Sequence, residues 1–167
     1  MKSHTLSVLV ENRAGVLSRV AGMFSRRGFN IESLAVGTCE EPDMSRITIV
    51  VKGDGSVVEQ VMKQTNKLID VIKVSDLTER ESVERELALI KVAAEPGTSR
   101  AEILQIADIF RAQVVDVGAK TLVLQVAGDT EKIDALEKLL RQYGIKELVR
   151  TGKIAILRGA KTVKSSK

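Results

Sequence analysis

A strand, a turn and the beginning of a helix follow one another in a single stretch, Leu6-Ser-Val-Leu-Val-Glu-Asn-Arg-Ala-Gly-Val-Leu-Ser-Arg-Val20. Its first part alternates, with Leu6, Val8 and Val10 on one face of a strand. The turn 11–15 follows, and after it the apolar residues recur at the spacing of a helix. The stretch therefore predicts a β-strand that turns directly into an amphipathic α-helix.

The alternation between strand and helix patterns continues to residue 77. Further strands are predicted at Ile31–Thr38, Ser45–Lys52 and Val71–Val74, with a second amphipathic helix through Val57–Ile69. The order is βαββαβ, the split-βαβ arrangement of ferredoxin-like folds. Residues 1–77 are therefore predicted to form one α+β domain.

The same order recurs in the second half, after a polar segment, 78–85, that is predicted to be a linker. Strands are predicted at Glu86–Ala94, Gln113–Val117, Thr121–Ala127 and Ile145–Leu157, with helices at 103–110 and 133–140. The chain is thus predicted to be α+β, with two ferredoxin-like domains in tandem, the second at 86–159. Units this small bury a thin core, so dimerisation is expected.

Composition and charge narrow the class of protein. The chain carries a net charge of +4, and Arg158, Lys161, Lys164 and Lys167 place four positive charges in the last ten residues. The basic tail, 160–167, is interpreted as a solubilising end and not as a nucleic-acid-binding arm. No apolar run reaches the roughly 20 residues that span a bilayer, and the N-terminus resembles neither a signal nor a transit peptide. A cytoplasmic location without membrane contact is predicted.

The residues that most enzymes need are scarce. Cys39 is the only cysteine and His4 the only histidine, so neither a zinc site nor a nucleophile with an oriented base is expected. We expect Cys39 at a strand end and His4 exposed on the first strand. RNA-binding ferredoxin-like domains stack bases on aromatic residues of the central strands, whereas Thr5–Val10 and Arg46–Val51 contain none. The chain is predicted to be neither an enzyme nor a nucleic-acid-binding protein.

One place suits a small ligand. The turn Asn12–Gly15 opens into a helix, whose first N–H groups have no intrahelical partner and favour an anion. Gly15 has no side chain to shield these donors from a carboxylate, and the Asn12 amide oxygen can accept a hydrogen bond from an ammonium group. These are the two ends of a free amino acid. The alternative is an ordinary turn in which Asn12 caps the helix, and Asn30, after Gly28, is equally compatible with a simple turn.

The resemblance to a known family becomes specific at this turn. The opening stretch and Phe24-Ser-Arg-Arg-Gly-Phe-Asn-Ile-Glu-Ser-Leu34 resemble the ACT domain of the regulatory subunits of acetohydroxyacid synthase (acetolactate synthase). The similarity continues in the blocks Lys67–Val71, Val83–Leu87, Ile109–Ala112 and Arg150–Ala155, and it ends near Gly159. It therefore covers nearly the whole chain and leaves the tail outside.

The resemblance implies a site and partners. N-terminal ACT domains of this family pair side by side, and an effector, typically valine but alternatively leucine or isoleucine, binds in the interface of the homodimer. The helix-start loop of one chain and the beginning of the second strand of its partner would contribute Asn12, Arg13, Ala14, Gly15, Val16 and Leu17, and Asn30 and Ile31, respectively. Of these, Leu17 and Ile31 would contact the branched side chain.

The family also implies a division of labour. The C-terminal unit would help hold the large catalytic subunit, which would supply thiamine diphosphate, magnesium and FAD, with no cofactor in this chain. The chain would activate that subunit and confer feedback inhibition. The alternative function is a free-standing ACT-type amino-acid sensor acting on transcription, which would need a DNA-binding element such as a helix-turn-helix. None is visible in the sequence.

Overall fold

The structure, a computed structural model, describes residues 2–163. The chain divides into two compact units. The first contains the chain up to Val83 together with the chain from Ile154 onward, and the second is Glu84–Lys153. No helix among residues 2–163 is long and apolar enough to cross a membrane.

The first unit has the predicted βαββαβ order. Its elements are β1 (Lys2–Glu11), α1 (Val16–Arg26), β2 (Ile31–Thr38), β3 (Met44–Gly53), α2 (Gly55–Asn66) and β4 (Val71–Asp76). The strands form an antiparallel sheet in the order β2-β3-β1-β4, so β1 and β3 are central and β2 and β4 are edges. The predicted fold class is confirmed.

The core of the first unit follows the two periodicities of its sequence. Alternate residues of β1, among them Leu6, Val8 and Val10, are buried in one cluster with the apolar stripe of α1. Phe24 of this stripe meets Phe29 edge-to-face, with ring centroids 6.3 Å apart. A helix with such a stripe gains its stability from this burial. The packing fixes α1 against the sheet and places its first turn directly after β1.

The second unit repeats the order around its own core. Its elements are β5 (Ser82–Ala93, which begins two residues before the unit), α3 (Thr98–Ile109), β6 (Gln113–Val117), β7 (Thr121–Gly128), α4 (Thr130–Leu140) and β8 (Ile145–Arg150). The sheet order is β6-β7-β5-β8. Alternate residues of β5 and β7 pack with Ile103 of α3 and Leu136 of α4. Two ferredoxin-like units in tandem are therefore present.

The predicted linker and the predicted last strand have boundaries that differ from those expected. Strand β5 begins at Ser82, so the segment predicted as a linker, 78–85, is half strand. The long last strand predicted at 145–157 is divided at Gly152, whose φ is 77°, into β8 and β9 (Ile154–Leu157). Although the second domain was expected to reach residue 159, β9 lies in the first unit, where Arg158 N donates to Glu81 O at 2.9 Å.

The segment interpreted as a loose tail contains a core residue. Val163 is only 5% exposed and packs in a small cluster with Leu77, Ala155 and Leu157. A single valine among polar residues has no periodicity, so its burial was not predicted. The solubilising interpretation is therefore wrong for Val163, and for residues 164–167 it lies outside the described part of the chain.

Candidate functional site

The loop Asn12–Gly15 joins the end of β1 to the start of α1. Asn12 N donates to Asp43 O at 2.8 Å, and Arg13 N donates to Glu11 O at 3.0 Å. The Arg13 guanidinium also forms an ion pair with Glu11, Nε to Oε2 at 2.9 Å. These bonds hold the backbone of the loop, while the side chains of Asn12, Arg13 and Ala14 remain exposed.

Helix α1 begins without a side-chain cap. Its N-cap residue is Gly15, in the left-handed region with a φ of 83°, and no side chain bonds to the first turn. Glycine adopts this conformation without the steric cost that a Cβ adds. The alternative in which Asn12 caps the helix is therefore wrong. No acidic residue lies in the first turn. Val16 N donates to Arg13 O at 3.4 Å, and the N–H groups of Leu17 and Ser18 keep their capacity for an anion.

An ion pair beside this loop was not predicted from the sequence. Arg19, one turn after Gly15, donates from Nε to Asp70 Oδ2 at 2.6 Å, and the Asp70 side chain is only 8% exposed. The Arg19 Nη1 atom lies 3.0 Å from where a Cβ on Gly15 would stand. A cation thus lies over the uncapped helix start. The only signal in the sequence was the spacing of four residues between Gly15 and Arg19, since Asp70 is 51 residues away from Arg19.

The two apolar residues predicted after Gly15 differ in exposure. Val16 is buried in the core of the first unit, so its side chain is not available to a ligand. Leu17 is 43% exposed and presents its side chain at the surface beside the helix start. The loop therefore offers backbone N–H groups, the Asn12 amide and one apolar side chain.

The remaining predicted residues, Asn30 and Ile31, lie at the other end of the sheet. Ile31 pairs with Val51, which pairs with His4 of β1, whereas the loop follows Glu11. His4 and Glu11 are seven positions apart on β1, which at about 3.3 Å per residue is about 23 Å. Within one chain, the two groups of predicted residues are too far apart to hold one amino acid.

The other residues considered for chemistry do not form a reactive group. His4 is buried, contrary to the expectation of an exposed position, because it lies on the inward-alternating side of β1, and its Nδ1 is 3.8 Å from Asp76 Oδ2. Cys39 follows directly after β2, as expected. Within residues 2–163, no three His, Cys, Asp or Glu side chains gather in a way that could hold a metal ion.

Comparisons with known proteins agree over both units. The family described as "AHAS small subunit-like ACT domain" matches residues 6–73, and "Small subunit of acetolactate synthase" matches residues 85–159. The probable acetolactate synthase small subunit of Archaeoglobus fulgidus is 61% identical over 158 residues, which are 95% of this chain and 98% of the relative. The acetolactate synthase small subunit of Mycolicibacterium smegmatis is 51% identical, over 99% of this chain and 96% of that protein.

A solved structure extends the agreement to the fold. The acetolactate synthase small subunit of Thermotoga maritima superposes with a TM-score of 0.87 at 40% sequence identity, covering 96% of this chain and all of that one. The predicted resemblance is thus confirmed by sequence and by structure. This chain belongs to the acetolactate synthase small-subunit family, and its first unit is an ACT domain.

Proposed function

We propose that this chain activates the large catalytic subunit of acetohydroxyacid synthase and makes it sensitive to valine. Membership of the small-subunit family supports a regulatory role. The observation that carries the effector proposal is the helix start at Gly15, which has no side-chain cap, no acidic residue in its first turn and a guanidinium beside it. A carboxylate is the ligand that such a helix start favours.

The geometry of one chain favours a site shared by two copies. The loop Asn12–Leu17 and the residues Asn30 and Ile31 lie at opposite ends of the sheet. Strand β2, which begins at Ile31, is an edge strand, and edge strands offer unpaired backbone groups to a second chain. Side-by-side pairing of two antiparallel copies would bring the beginning of β2 of one copy toward the loop of the other.

Each part of a free amino acid has a partner in this arrangement. The carboxylate would bind the N–H groups of the first turn, close to Arg19, and the ammonium group would donate to the Asn12 side-chain oxygen. Leu17 and the partner copy's Ile31 would contact an apolar side chain. A branched aliphatic amino acid such as valine fits these groups, and leucine and isoleucine share the same chemistry.

The catalytic chemistry would belong to the large subunit. Thiamine diphosphate, magnesium and FAD would be bound there. The second unit of this chain, Glu84–Lys153, would contribute to the contact with the large subunit. The complex of the two subunits would be located in the cytoplasm. The purified chain alone should therefore make no acetolactate from pyruvate. This expectation follows from the family role and from the scarcity of nucleophiles and bases in the sequence.

Reconstitution with the large subunit from the same cell tests the function. Acetolactate production should rise when this chain is added and fall when valine is added to the complex. The melting temperature of the chain alone should rise with valine, by the stabilisation RT ln(1 + [L]/Kd), about 2.7 kcal/mol at one hundred times Kd. Lysine and glutamate serve as controls, since their charged side chains suit an apolar contact poorly.

Two outcomes would contradict the proposal. Equal stabilisation by all amino acids would exclude a specific site for branched-chain effectors. Valine binding without any effect on the large subunit would instead favour a free-standing sensor.

A further inference from the structure

The turn between α2 and β4 exposes a large apolar side chain. Ile69 is 91% exposed, although its neighbour Leu68 packs against the core of the first unit. The turn is held by backbone bonds, from Leu68 N to Thr65 O and from Val71 N to Leu68 O, both 3.1 Å. A turn whose backbone bonds hold an isoleucine in water is suited to contact a partner, because such a contact would remove the apolar surface of the side chain from water.

Asp70 of this turn is hydrogen-bonded to two residues that flank the candidate effector loop. The Asp70 carbonyl oxygen accepts from Glu11 N at 2.9 Å, directly before the loop. The Asp70 carboxylate accepts from Arg19 Nε at 2.6 Å, directly after the helix start. Because Asp70 is nearly buried, it cannot exchange these partners for water without cost. The turn that carries Ile69 is thus hydrogen-bonded to the residue before the candidate effector loop and to Arg19 after the helix start.

The charge around Ile69 indicates what kind of surface would cover it. Lys67, two residues earlier, is exposed and forms no ion pair with any acid among residues 2–163. A complementary partner would offer an apolar pocket for Ile69 with acidic residues at its rim.

We propose that the turn Leu68–Asp70 is a contact surface for the large catalytic subunit, with Ile69 as its apolar anchor and the Arg19–Asp70 pair as its link to the effector loop. This inference rests on the proposed function and names the partner surface. A second copy of the chain is a poorer occupant, because pairing of copies is proposed at β2, whereas the turn leads into β4 at the opposite edge of the sheet. A contact of the large subunit at this turn would connect it to the effector site through the bonds of Asp70.

Ile69→Ser tests the contact, with Ile156→Ser as the matched control. Ile156 belongs to the same unit and is 62% exposed, so the control loses a similar apolar side chain elsewhere. Activity of the large subunit is titrated with each full-length variant. The concentration for half-maximal activation should rise about tenfold or more for Ile69→Ser, as for an interface anchor, and stay near the wild-type value for the control.

Measurements on the isolated Ile69→Ser chain show whether weaker activation comes from the lost contact or from a change in fold, dimer or valine binding. Melting temperature, dimer mass and valine binding of Ile69→Ser should match the wild type. Half-maximal activation at the wild-type concentration would overturn the proposal, and so would loss of the dimer, which would assign the turn to a second copy. Failure of the wild-type chain to activate or to bind valine would count against the proposed function itself.

Asp70→Asn tests the link. The amide keeps the size of the side chain but removes its charge, which weakens the bond to Arg19. At saturating valine, the fraction of activity that survives, relative to the same complex without valine, should rise clearly above the wild-type fraction. Calorimetry should find that the isolated variant still binds valine, and loss of binding would overturn the link by placing Asp70 in the effector site itself. Full inhibition in a variant complex that binds valine would show that Asp70 carries no signal.

Discussion

Gly15→Asp separates a conformational role of Gly15 from a role in effector binding. The φ of 83° at Gly15 means that any L-residue there is strained, by about 1–2 kcal/mol in the left-handed region. For a unit of this size, each kcal/mol of destabilisation lowers the melting temperature by about 4–8 °C. The structure thus adds a stability cost that the sequence alone did not require.

The added carboxylate has a second effect on a ligand. It would stand where the carboxylate of valine is proposed to bind, and two unit charges about 4 Å apart repel by about 1 kcal/mol in water and about 4 kcal/mol at an effective dielectric constant of 20. The Cβ itself would lie 3.0 Å from Arg19 Nη1, so the new acid would also draw the guanidinium away from a ligand. We expect valine affinity to fall by at least about tenfold, which is about 1.4 kcal/mol.

Two control variants separate the effect of backbone strain from the effect of the added charge. Gly159→Ala has a φ of 68° and nothing within 4 Å of an added Cβ, so it reports strain in the same unit at a position outside the proposed effector site. Gly15→Ala adds the strain and the methyl group at the loop without a charge. Melting temperature without ligand should fall in all three variants, whereas calorimetry should find the largest loss of valine affinity in Gly15→Asp. If Gly15→Asp binds valine as tightly as Gly159→Ala does, the helix start is not the carboxylate site.

Three further predictions concern stability. In the second unit, Arg150→Met should lower the free energy of unfolding in urea by about 3–5 kcal/mol, because it leaves the Glu86 carboxylate, 5% exposed, without its partner. The double variant Arg150→Met/Glu86→Leu should recover most of this loss. A double variant as unstable as the single variant would contradict the importance of the buried pair. Removal of residues 160–167 should cost about 1–3 kcal/mol through the loss of Val163 from its apolar cluster, whereas removal of 164–167 keeps this contact and should be nearly neutral. Asp54 caps α2, and the hydrogen bonds from the Ser56 side chain and from Val57 N lower its pKa below 3.8. The stability that the charged cap contributes is therefore complete above that pH and is lost as the pH falls through the lowered pKa. The difference in melting temperature between wild type and Asp54→Ala should shrink in acid and should not change between pH 6 and 8.

The site was only partly accessible to sequence reasoning. The turn before α1 was identified because an Asn and a Gly precede a helical pattern, which is a local signal. The Arg19–Asp70 pair was missed because its members are 51 residues apart, and neither stands out among the charged residues of the chain. Ile69 was assigned to the apolar face of a helix, but α2 ends at Asn66, and the following turn directs Ile69 into water.

The sequence by itself determined the order of the elements, since the periods of 2 and 3.6 residues are properties of neighbouring residues. It also indicated the first turn and the family. Only the tertiary structure decided that β9 and Val163 join the first unit, and that Ile31 lies about 23 Å along the sheet from the loop. These features depend on strand register and on contacts between residues far apart in the chain. No local pattern encodes them, because such contacts form only when folding brings distant segments together.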